Sequence, residues 1–308
     1  MAANQKIPTE EGAAGFDGEF MLRDGRRMAY AEIGAADGAP AIYCHGFPAS
    51  RLEARLVEAA ARQIGVRLIA PDRPGYGRSD WHAERTILDW PDDVVQLADR
   101  LGLERFHVLG VSGGGPYALA LAHRLPEQVR GLSIVCGLGQ VCLPEALDPM
   151  HWPARLGFGT AESAPWVNRL VFGGVVGRLM QVRPEIALKM LTVGVTPPDR
   201  RVLSQPDIHA IVCESLREGL REGTRGALLD MALYARPWPF DPVGLQLPVS
   251  LWHGDSDATV PLCHTRMLAQ SLPQATVHIV PGEGHFSLPI ERAGEILAGL
   301  IRLEAKRS

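Results

Sequence analysis

The pentapeptide Gly110-Val111-Ser112-Gly113-Gly114 joins an apolar run typical of a buried strand to a run typical of a helix. So short a passage from strand to helix holds the central serine in a strained backbone conformation and exposes its hydroxyl. The glycines two residues before and after Ser112 leave room for the strand and the helix to pack closely. Pro116 suits the first helical turn, where its missing N–H has no intrahelical partner. The segment therefore predicts a strand, a sharp turn and a helix, with Ser112 as a candidate nucleophile.

A second interpretation of the same glycines is a dinucleotide-binding turn. Residues 113–118 satisfy the pattern G-x-G-x-x-A between a strand and a helix. That pattern requires an acidic residue at the end of the next strand, where it binds a ribose hydroxyl. The next predicted strand, residues 129–136, runs into Gly137-Leu138-Gly139-Gln140 and offers no carboxylate. The nucleophile interpretation is therefore favoured.

Short apolar strands alternate with helical stretches after an antiparallel hairpin at residues 19–24 and 27–33. The alternation stops at Gly137 and resumes near residue 247. Alternating strands and helices predict a parallel sheet covered by helices on both faces. We therefore expect an α/β fold with a mostly parallel, eight-stranded, doubly wound sheet. Apart from the hairpin, the predicted strands are residues 41–44, 67–70, 106–111, 132–136, 249–252 and 276–280, and the predicted helices are residues 52–63, 87–101, 117–124, 262–271 and 289–304.

Residues 138–240 interrupt the alternation with helical pieces separated by prolines. We expect them to form a helical cap inserted into a core of residues 19–137 and 241–308, preceded by a flexible tail at residues 1–18. The glycine run at residues 173–177 is a candidate source of cap mobility. Some of the large apolar side chains of the cap are expected to line a ligand cavity, and the candidates are Met150, Trp152, Phe158, Trp166, Phe172, Met180, Met190, Met231, Tyr234 and Trp238.

The composition excludes several classes of partner. The 308 residues carry a formal net charge of -4, which provides no broad basic surface, so no nucleic-acid partner is expected. No apolar run reaches the length of a membrane span and residues 1–18 lack a secretory pattern, so we expect no stable membrane insertion and a cytoplasmic location. The five cysteines include no C-x-x-C pair, which favours free thiols over disulfides or a zinc site. The expected partner is a small-molecule substrate with a hydrophobic portion, and a homo-oligomer is compatible with this composition.

A serine hydroxyl needs a base that takes its proton and an acid that orients the base. Asp257 lies in the segment HGDSDATVP after the seventh predicted strand, and His285 lies in the segment GEGHF after the eighth. The carboxyl ends of parallel strands meet at one edge, where ligand sites gather. Asp257 is favoured over Asp255 as the acid. Asp255 follows Gly254, and an aspartate beside a glycine commonly organises a turn through hydrogen bonds to the backbone. The predicted catalytic residues are therefore Ser112, Asp257 and His285.

Attack on a carbonyl also needs N–H donors for the oxyanion that forms. The Gly113 amide, next to the nucleophile, is the first candidate. The second is the Phe47 amide in the turn after the third predicted strand, where Gly46 permits a tight bend and Pro48 cannot donate. His45 is expected to be a scaffold residue that forms hydrogen bonds within this turn.

Five segments together resemble the α/β-hydrolase superfamily in its lid-containing form, and these are HGFP, DRPGYGRSD, GVSGG, HGDSDATVP and GEGHF. The resemblance covers essentially the whole chain after the tail. It implies that residues 72–80 form the loop after the fourth strand, with Arg73 as a structural residue. The HGFP turn also resembles that of epoxide hydrolases, and the loop and lid arrangement resembles that of haloalkane dehalogenases. Both of those use a carboxylate nucleophile, whereas residue 112 is serine.

The resemblance implies a serine hydrolase that cleaves an ester-like carbonyl through an acyl-enzyme, with no metal or organic cofactor. A small to medium hydrophobic carboxylic ester is the expected substrate. Related sites also process thioesters, amides and carbon–carbon bonds beside a ketone, and the fold does not choose among them. The alternatives are a carbon–carbon bond hydrolase, a lyase or an acyltransferase with the same three residues, and a non-catalytic ligand receptor.

Overall fold

One eight-stranded sheet organises residues 16–304, the part of the chain that the computed structural model describes. Its strands are β1 (Phe16–Met21), β2 (Arg27–Gly34), β3 (Ala39–Cys44), β4 (Val66–Pro71), β5 (Phe106–Val111), β6 (Val129–Val135), β7 (Val249–Gly254) and β8 (Ala275–Val280). They lie in the order β1-β2-β4-β3-β5-β6-β7-β8. β1 and β2 pair antiparallel, β2 is antiparallel to β4, and the neighbours from β4 to β8 run parallel.

Helices cover both faces of this sheet and also make up most of the segment between β6 and β7. In chain order they are α1 (Glu58–Ile64), α2 (Trp90–Leu101), α3 (Gly115–Arg124), α4 (Pro144–Leu147), α5 (Trp152–Thr160), α6 (Pro165–Asn168), α7 (Gly177–Val182), α8 (Pro184–Leu191), α9 (Pro197–Leu203), α10 (Pro206–Gly219), α11 (Arg225–Tyr234), α12 (Cys263–Ser271), α13 (Ser287–Glu291) and α14 (Ala293–Arg302). We call the segment from α4 to α11 the helical insertion.

Two apolar layers attach the helices to the sheet. Successive strand residues face opposite layers, so Val108 packs with α2 and α3 while Leu109 packs with α1 and α14. α2 contributes a stripe at helical spacing that includes Trp90, Val94 and Leu97. α3 is different, because its residues from Gly115 to Ala122 are all buried. The helix that follows Ser112 is therefore fixed on every side.

The observed strands confirm the α/β class and the mostly parallel, doubly wound sheet. Several predicted boundaries differ from the structure. The helix predicted at residues 52–63 is a 3-10 helix, Arg51–Val57, followed by α1. β1 begins at Phe16, so residues 16–18, which we assigned to the tail, belong to the sheet, and residues 1–15 lie outside the described residues. The predicted helix at 289–304 is two helices, α13 and α14, since the backbone leaves the helical region at Arg292 with φ -105° and ψ 12°.

The helical insertion lies within the predicted residues 138–240. Residues Arg169–Val176 form a π-helix and α7 begins at Gly177, so all three glycines of the predicted mobile run lie in helical backbone. Mobility of this run and the domain boundaries stay predictions. Across residues 16–304, every helix falls short of the length and apolar character needed to cross a membrane.

Candidate active site

Ser112 lies in the sharp turn between β5 and α3, with φ 53° in the left-handed region. A non-glycine residue there costs on the order of 1–3 kcal/mol, which the surrounding packing must offset. The turn needs small neighbours, because a Cβ at Gly110 would lie 2.7 Å from Ala118 Cβ and one at Gly114 would lie 2.0 Å from Cys44 O. Larger residues at these two positions would therefore force the strand, the helix and the turn after β3 apart.

The structure brings Ser112, His285 and Asp257 together from the ends of three parallel strands. His285 Nε2 lies 3.0 Å from Ser112 Oγ, and His285 Nδ1 lies 2.8 Å from Asp257 Oδ2. Because an ionised carboxylate only accepts, Nδ1–H donates to Asp257 and the free Nε2 can accept from the serine hydroxyl. The Asp257 side chain is fully buried and that of His285 nearly so, whereas Ser112 is partly exposed. The imidazole is therefore in place to take the serine proton.

Burial and charge act in opposite directions on this histidine and aspartate. Burial alone would lower the pKa of His285, but the Asp257 carboxylate outweighs it and raises the pKa of His285 above its ordinary value. Burial alone would raise the pKa of Asp257, but the charge and hydrogen bond of His285 lower the pKa of Asp257 instead. Asp257 therefore stays ionised and stabilises the imidazolium that forms when His285 accepts a proton.

The loop after β7 separates the two candidate acids. Asp257 Oδ1 accepts the N–H groups of Thr259 and Val260 at 2.8 and 2.9 Å, which leaves Oδ2 for His285. Asp255 faces away from the histidine, and its Oδ1 accepts the Gly282 N–H at 2.8 Å. The structure thus places Asp257 against the imidazole and Asp255 against the neighbouring loop.

An aspartate of the helical insertion fixes the loop that carries His285. Asp199, in the first turn of α9, accepts the backbone N–H of His285 at 3.0 Å. It also accepts the N–H groups of Phe286 and Ser287 at 2.8 and 2.9 Å. The carboxylate is fully buried, and a Cβ at Gly284 would lie 2.5 Å from it. Asp199 of the insertion therefore helps to fix the position of the His285 imidazole.

The turn after β3 places the Phe47 amide beside Gly113. A Cβ built at Gly113 would lie 2.6 Å from Phe47 Cβ and 3.2 Å from Phe47 N. His45 Nδ1 bonds Gly46 O at 3.0 Å within the same turn. Glu53 Oε2 accepts the Gly46 N–H at 2.7 Å, and burial raises the pKa of Glu53. The two predicted oxyanion donors thus belong to adjoining backbone segments next to Ser112.

A buried ion cluster joins this turn to the insertion. Asp230 of α11 pairs with Arg73 Nε at 2.9 Å and with Arg85 Nη2 at 2.5 Å. The hydroxyls of Tyr76 and Tyr117 donate to the same carboxylate at 2.9 and 2.5 Å. Burial alone would raise the pKa of Asp230, but the Arg85 and Arg73 charges lower it to about 2. Asp230 is therefore an ionised carboxylate inside the protein.

Aromatic rings surround the Phe47 side chain. Its ring centroid lies 5.9 Å from that of Phe172, 6.3 Å from that of Phe158 and 5.6 Å from that of Tyr234. The Tyr234 hydroxyl donates to Gly113 O at 2.8 Å, so this ring is anchored to the nucleophile turn. The insertion therefore gives the Phe47 side of the site, where the oxyanion donors are predicted, an apolar, aromatic wall.

One group of the site could also hold a metal ion by its spacing. Potential ligand atoms of Cys136, Asp257 and His285 lie within 4.8 Å of one another. The Asp257 and His285 atoms bond each other, and burial raises the pKa of the Cys136 thiol well above its ordinary value. A protonated thiol beside a histidine–aspartate pair is a poor donor set for a cation.

Tyr234, one of the side chains predicted as candidates for lining a ligand cavity, donates its hydroxyl to Gly113 O. Sequence patterns did not reveal three other buried partners of the site, and these are Arg85, Asp199 and Asp230. Each contacts residues far away along the chain, so no local spacing indicates it. A signal existed only for Asp230, since a carboxylate in an otherwise apolar helix must find buried partners. Arg73, expected as a structural loop residue, belongs to the same cluster as Asp230.

Known proteins resemble this chain in sequence and in fold. A family model described as alpha/beta hydrolase fold matches residues 40–176. A 2-hydroxymuconate semialdehyde hydrolase of Pseudomonas sp. (strain CF600) is 42% identical over 227 residues, which cover 72% of this chain and 70% of that protein. The uncharacterized hydrolase YcgS of Bacillus subtilis (strain 168) is 25% identical over 290 residues, or 92% and 98% of the two chains. The solved structure of a thermophilic esterase from Thermogutta terrifontis has a TM-score of 0.69 at 19% identity, covering 94% of this chain and 98% of that one.

A mostly parallel, helix-covered sheet with Ser112 in the turn after β5 and His285 in the loop after β8 is the arrangement of the α/β-hydrolase fold. The chain belongs to the α/β-hydrolase fold family, which confirms the resemblance seen in the five sequence motifs. Membership in a family of hydrolases indicates an enzyme with a small-molecule substrate.

Proposed function

We propose that the protein is a serine hydrolase that cleaves an ester-like carbonyl through an acyl-enzyme at Ser112. The observation that carries the proposal is the chain of contacts from Ser112 Oγ to His285 Nε2 at 3.0 Å and from His285 Nδ1 to Asp257 at 2.8 Å. It supplies a nucleophile, a base and an acid in hydrogen-bond reach of one another.

In the proposed reaction His285 takes the Ser112 proton while Ser112 Oγ bonds the carbonyl carbon. The oxyanion that forms faces the Phe47 and Gly113 amides, and removing one such donor costs on the order of 10²-fold in rate. His285 then gives the proton to the leaving oxygen, and Asp257 stabilises the imidazolium in between. Water, activated by the same histidine, releases the acyl group and restores Ser112.

The aromatic wall supports a substrate with a hydrophobic acyl or ring portion. Phe47, Phe158 and Phe172 present rings rather than charges on the oxyanion side. The Arg73 guanidinium close to this side donates to two carbonyls and to Asp230, so it is not available for a substrate carboxylate. A small to medium carboxylic ester without a charge near its carbonyl fits these surroundings best.

A second candidate is hydrolysis of a carbon–carbon bond beside a ketone by the same three residues. It is favoured by the relative named 2-hydroxymuconate semialdehyde hydrolase, which is 42% identical to this chain. The two candidates differ in the group that leaves, which is an oxygen in an ester and a carbon in a ketone. Turnover of 2-hydroxymuconate semialdehyde without turnover of p-nitrophenyl butyrate would select the second candidate.

Labelling with a fluorophosphonate tests the nucleophile directly. The wild-type protein should carry the label on Ser112 when its peptides are mapped by mass spectrometry. Ser112→Ala should carry none, and His285→Ala should label far more slowly because the base is lost. Ser163→Ala, which changes an exposed serine of the insertion, should label like the wild type. Wild-type label on any other serine would contradict the proposal.

A further inference from the structure

The Phe47 amide can serve as an oxyanion donor only if its peptide plane keeps one orientation. In a trans peptide the carbonyl points away from the N–H, so whatever fixes Gly46 O also orients the Phe47 N–H. Arg73 Nη2 donates to Gly46 O at 2.8 Å, and Arg73 Nη1 donates to His45 O. The guanidinium thus donates to two successive carbonyls, those of His45 and Gly46, on the side of the turn opposite to the Phe47 N–H.

Arg73 also determines how His45 supports the same carbonyl. The Arg73 backbone N–H donates to His45 Nε2 at 3.2 Å, so Nε2 carries the lone pair and Nδ1 carries the proton. That Nδ1–H then donates to Gly46 O at 3.0 Å. Burial and the Arg73 charge keep the pKa of His45 well below its ordinary value, so the ring stays neutral and this tautomer persists. Both groups that hold the Gly46 carbonyl therefore depend on Arg73.

Burial and an ion pair hold the charged Arg73 side chain beside the Gly46 carbonyl. This side chain is fully buried and pairs with the fully buried Asp230 at 2.9 Å. Asp230 also pairs with Arg85, so two guanidinium groups share one carboxylate. Glu53, on the other side of the turn, is the acidic group that bonds the Gly46 N–H. A charged donor on an amide carbonyl polarises the peptide group, which strengthens the N–H as a donor in a low-dielectric site.

We propose that Arg73 is the positioning residue of the oxyanion hole: it orients and polarises the Phe47 N–H, and Asp230 of the insertion keeps it in place. The inference rests on the proposed serine hydrolase function. Its effect is confined to the charge that develops in the transition state, so losing Arg73 lowers kcat and leaves KM unchanged.

The test compares Arg73→Gln with Arg85→Gln. Arg85 is the matched control, because it pairs with the same carboxylate while its hydrogen bonds go to Tyr117, Pro74 and Asp230 rather than to the turn. The probes are p-nitrophenyl acetate and its thiono analogue, whose larger sulfur anion accepts hydrogen bonds poorly. Arg73→Gln should lower kcat for the oxygen ester roughly 10- to 100-fold below Arg85→Gln. The oxygen-to-sulfur rate ratio should fall in Arg73→Gln alone.

The oxygen-to-sulfur rate ratio distinguishes a loss of orientation of the Phe47 N–H from general damage to the protein. Equal losses on both esters in Arg73→Gln and Arg85→Gln would overturn the inference and leave Arg73 with a structural role. If either glutamine variant fails to fold, Arg73→Lys and Arg85→Lys decide the question through the same ratio, since lysine keeps the charge but only part of the fork. A wild-type protein that neither hydrolyses p-nitrophenyl acetate nor accepts fluorophosphonate at Ser112 would instead overturn the proposed function itself.

Discussion

In the proposed mechanism, the protonation state of His285 decides whether Ser112 can be activated. The imidazole must be neutral to accept the serine proton, and the Asp257 carboxylate raises the pKa of His285 despite burial. The fraction of neutral imidazole therefore grows as the pH rises through that raised value. The kcat/KM of the wild-type enzyme should rise along a limb above the ordinary imidazole pKa of about 6.5.

Replacing Asp257 with asparagine should move this limb to lower pH. The substitution removes the charge that raises the pKa of His285 and leaves the burial that lowers it. It also allows an amide N–H to face Nδ1, which favours the wrong tautomer and should lower kcat by about 10⁴-fold. The pH dependence of kcat/KM for p-nitrophenyl acetate measures both effects. Asp255→Asn, which changes an exposed carboxylate of the same loop, should leave the limb in place. A limb that stays put or moves upward in Asp257→Asn would contradict the proposed relay.

Replacing Gly114 and Gly294 with alanine should change the free energy of unfolding in opposite directions. A Cβ at Gly114 would lie 2.0 Å from Cys44 O, so the nucleophile turn and the turn after β3 must separate. We expect Gly114→Ala to lose roughly 1–3 kcal/mol or more of unfolding free energy. Gly294, in the first turn of α14, has open space around a Cβ, and Gly294→Ala should gain about 0.5–1 kcal/mol. Urea unfolding measures both changes, and a loss shared equally by the two variants would refute the packing argument.

Among the secondary-structure elements, the sequence predicts the position of those site residues that directly follow a strand. Ser112, Asp257 and His285 each follow a strand of one parallel sheet, so the alternation of strands and helices is enough to bring their segments to one edge. The aspartates that hydrogen-bond to the site come from helices of the insertion. Hydrophobic periodicity does not predict how these helices pack over the sheet. Asp199 and Asp230 therefore emerge only when helix packing is known.

The contact between α9 and the histidine loop makes Asp199 important both for stability and for the position of His285. Its carboxylate accepts three backbone N–H groups, including that of His285, and an asparagine would present its own N–H groups to some of these donors. Asp199→Asn should lose about 1.5–3 kcal/mol of unfolding free energy. It should also lower kcat/KM for p-nitrophenyl acetate, because the imidazole shifts from Ser112.

The matched control for Asp199 is Asp207→Asn, since Asp207 lies in the first turn of α10 and is exposed. That variant should keep the stability and activity of the wild type. Thermal unfolding and steady-state kinetics on the two variants check the prediction. Wild-type activity in a folded Asp199→Asn protein would show that the histidine loop holds its position without the insertion.

In the whole molecule, two buried carboxylates tie the helical insertion to both halves of the site. Asp199 bonds the loop that carries His285, and Asp230 bonds Arg73 next to the Phe47 amide. A cap joined to the core only through its apolar side chains could separate without disturbing Ser112. Here, detaching the insertion would remove hydrogen-bond partners both from the loop that carries His285 and from Arg73 beside the turn after β3. Opening for substrate should therefore involve parts of the insertion other than α9 and α11.

The Asp230 cluster should make the stability of the whole molecule depend on pH in acid. The pKa of Asp230 is lowered from 3.8 to about 2, so the ionised carboxylate stabilises the folded state fully above pH 3.8. That contribution is lost as the pH falls from there toward 2, and its size is about 2 kcal/mol. Asp230→Asn should remove this step in the curve of unfolding free energy against pH. At neutral pH the same variant should be less stable by about 3–5 kcal/mol, because two buried guanidinium groups lose their partner. Urea unfolding between pH 2 and pH 7 measures both effects, with the exposed Glu222→Gln as the control. An acid loss in Asp230→Asn as steep as in the wild type would assign the pH dependence to other carboxylates.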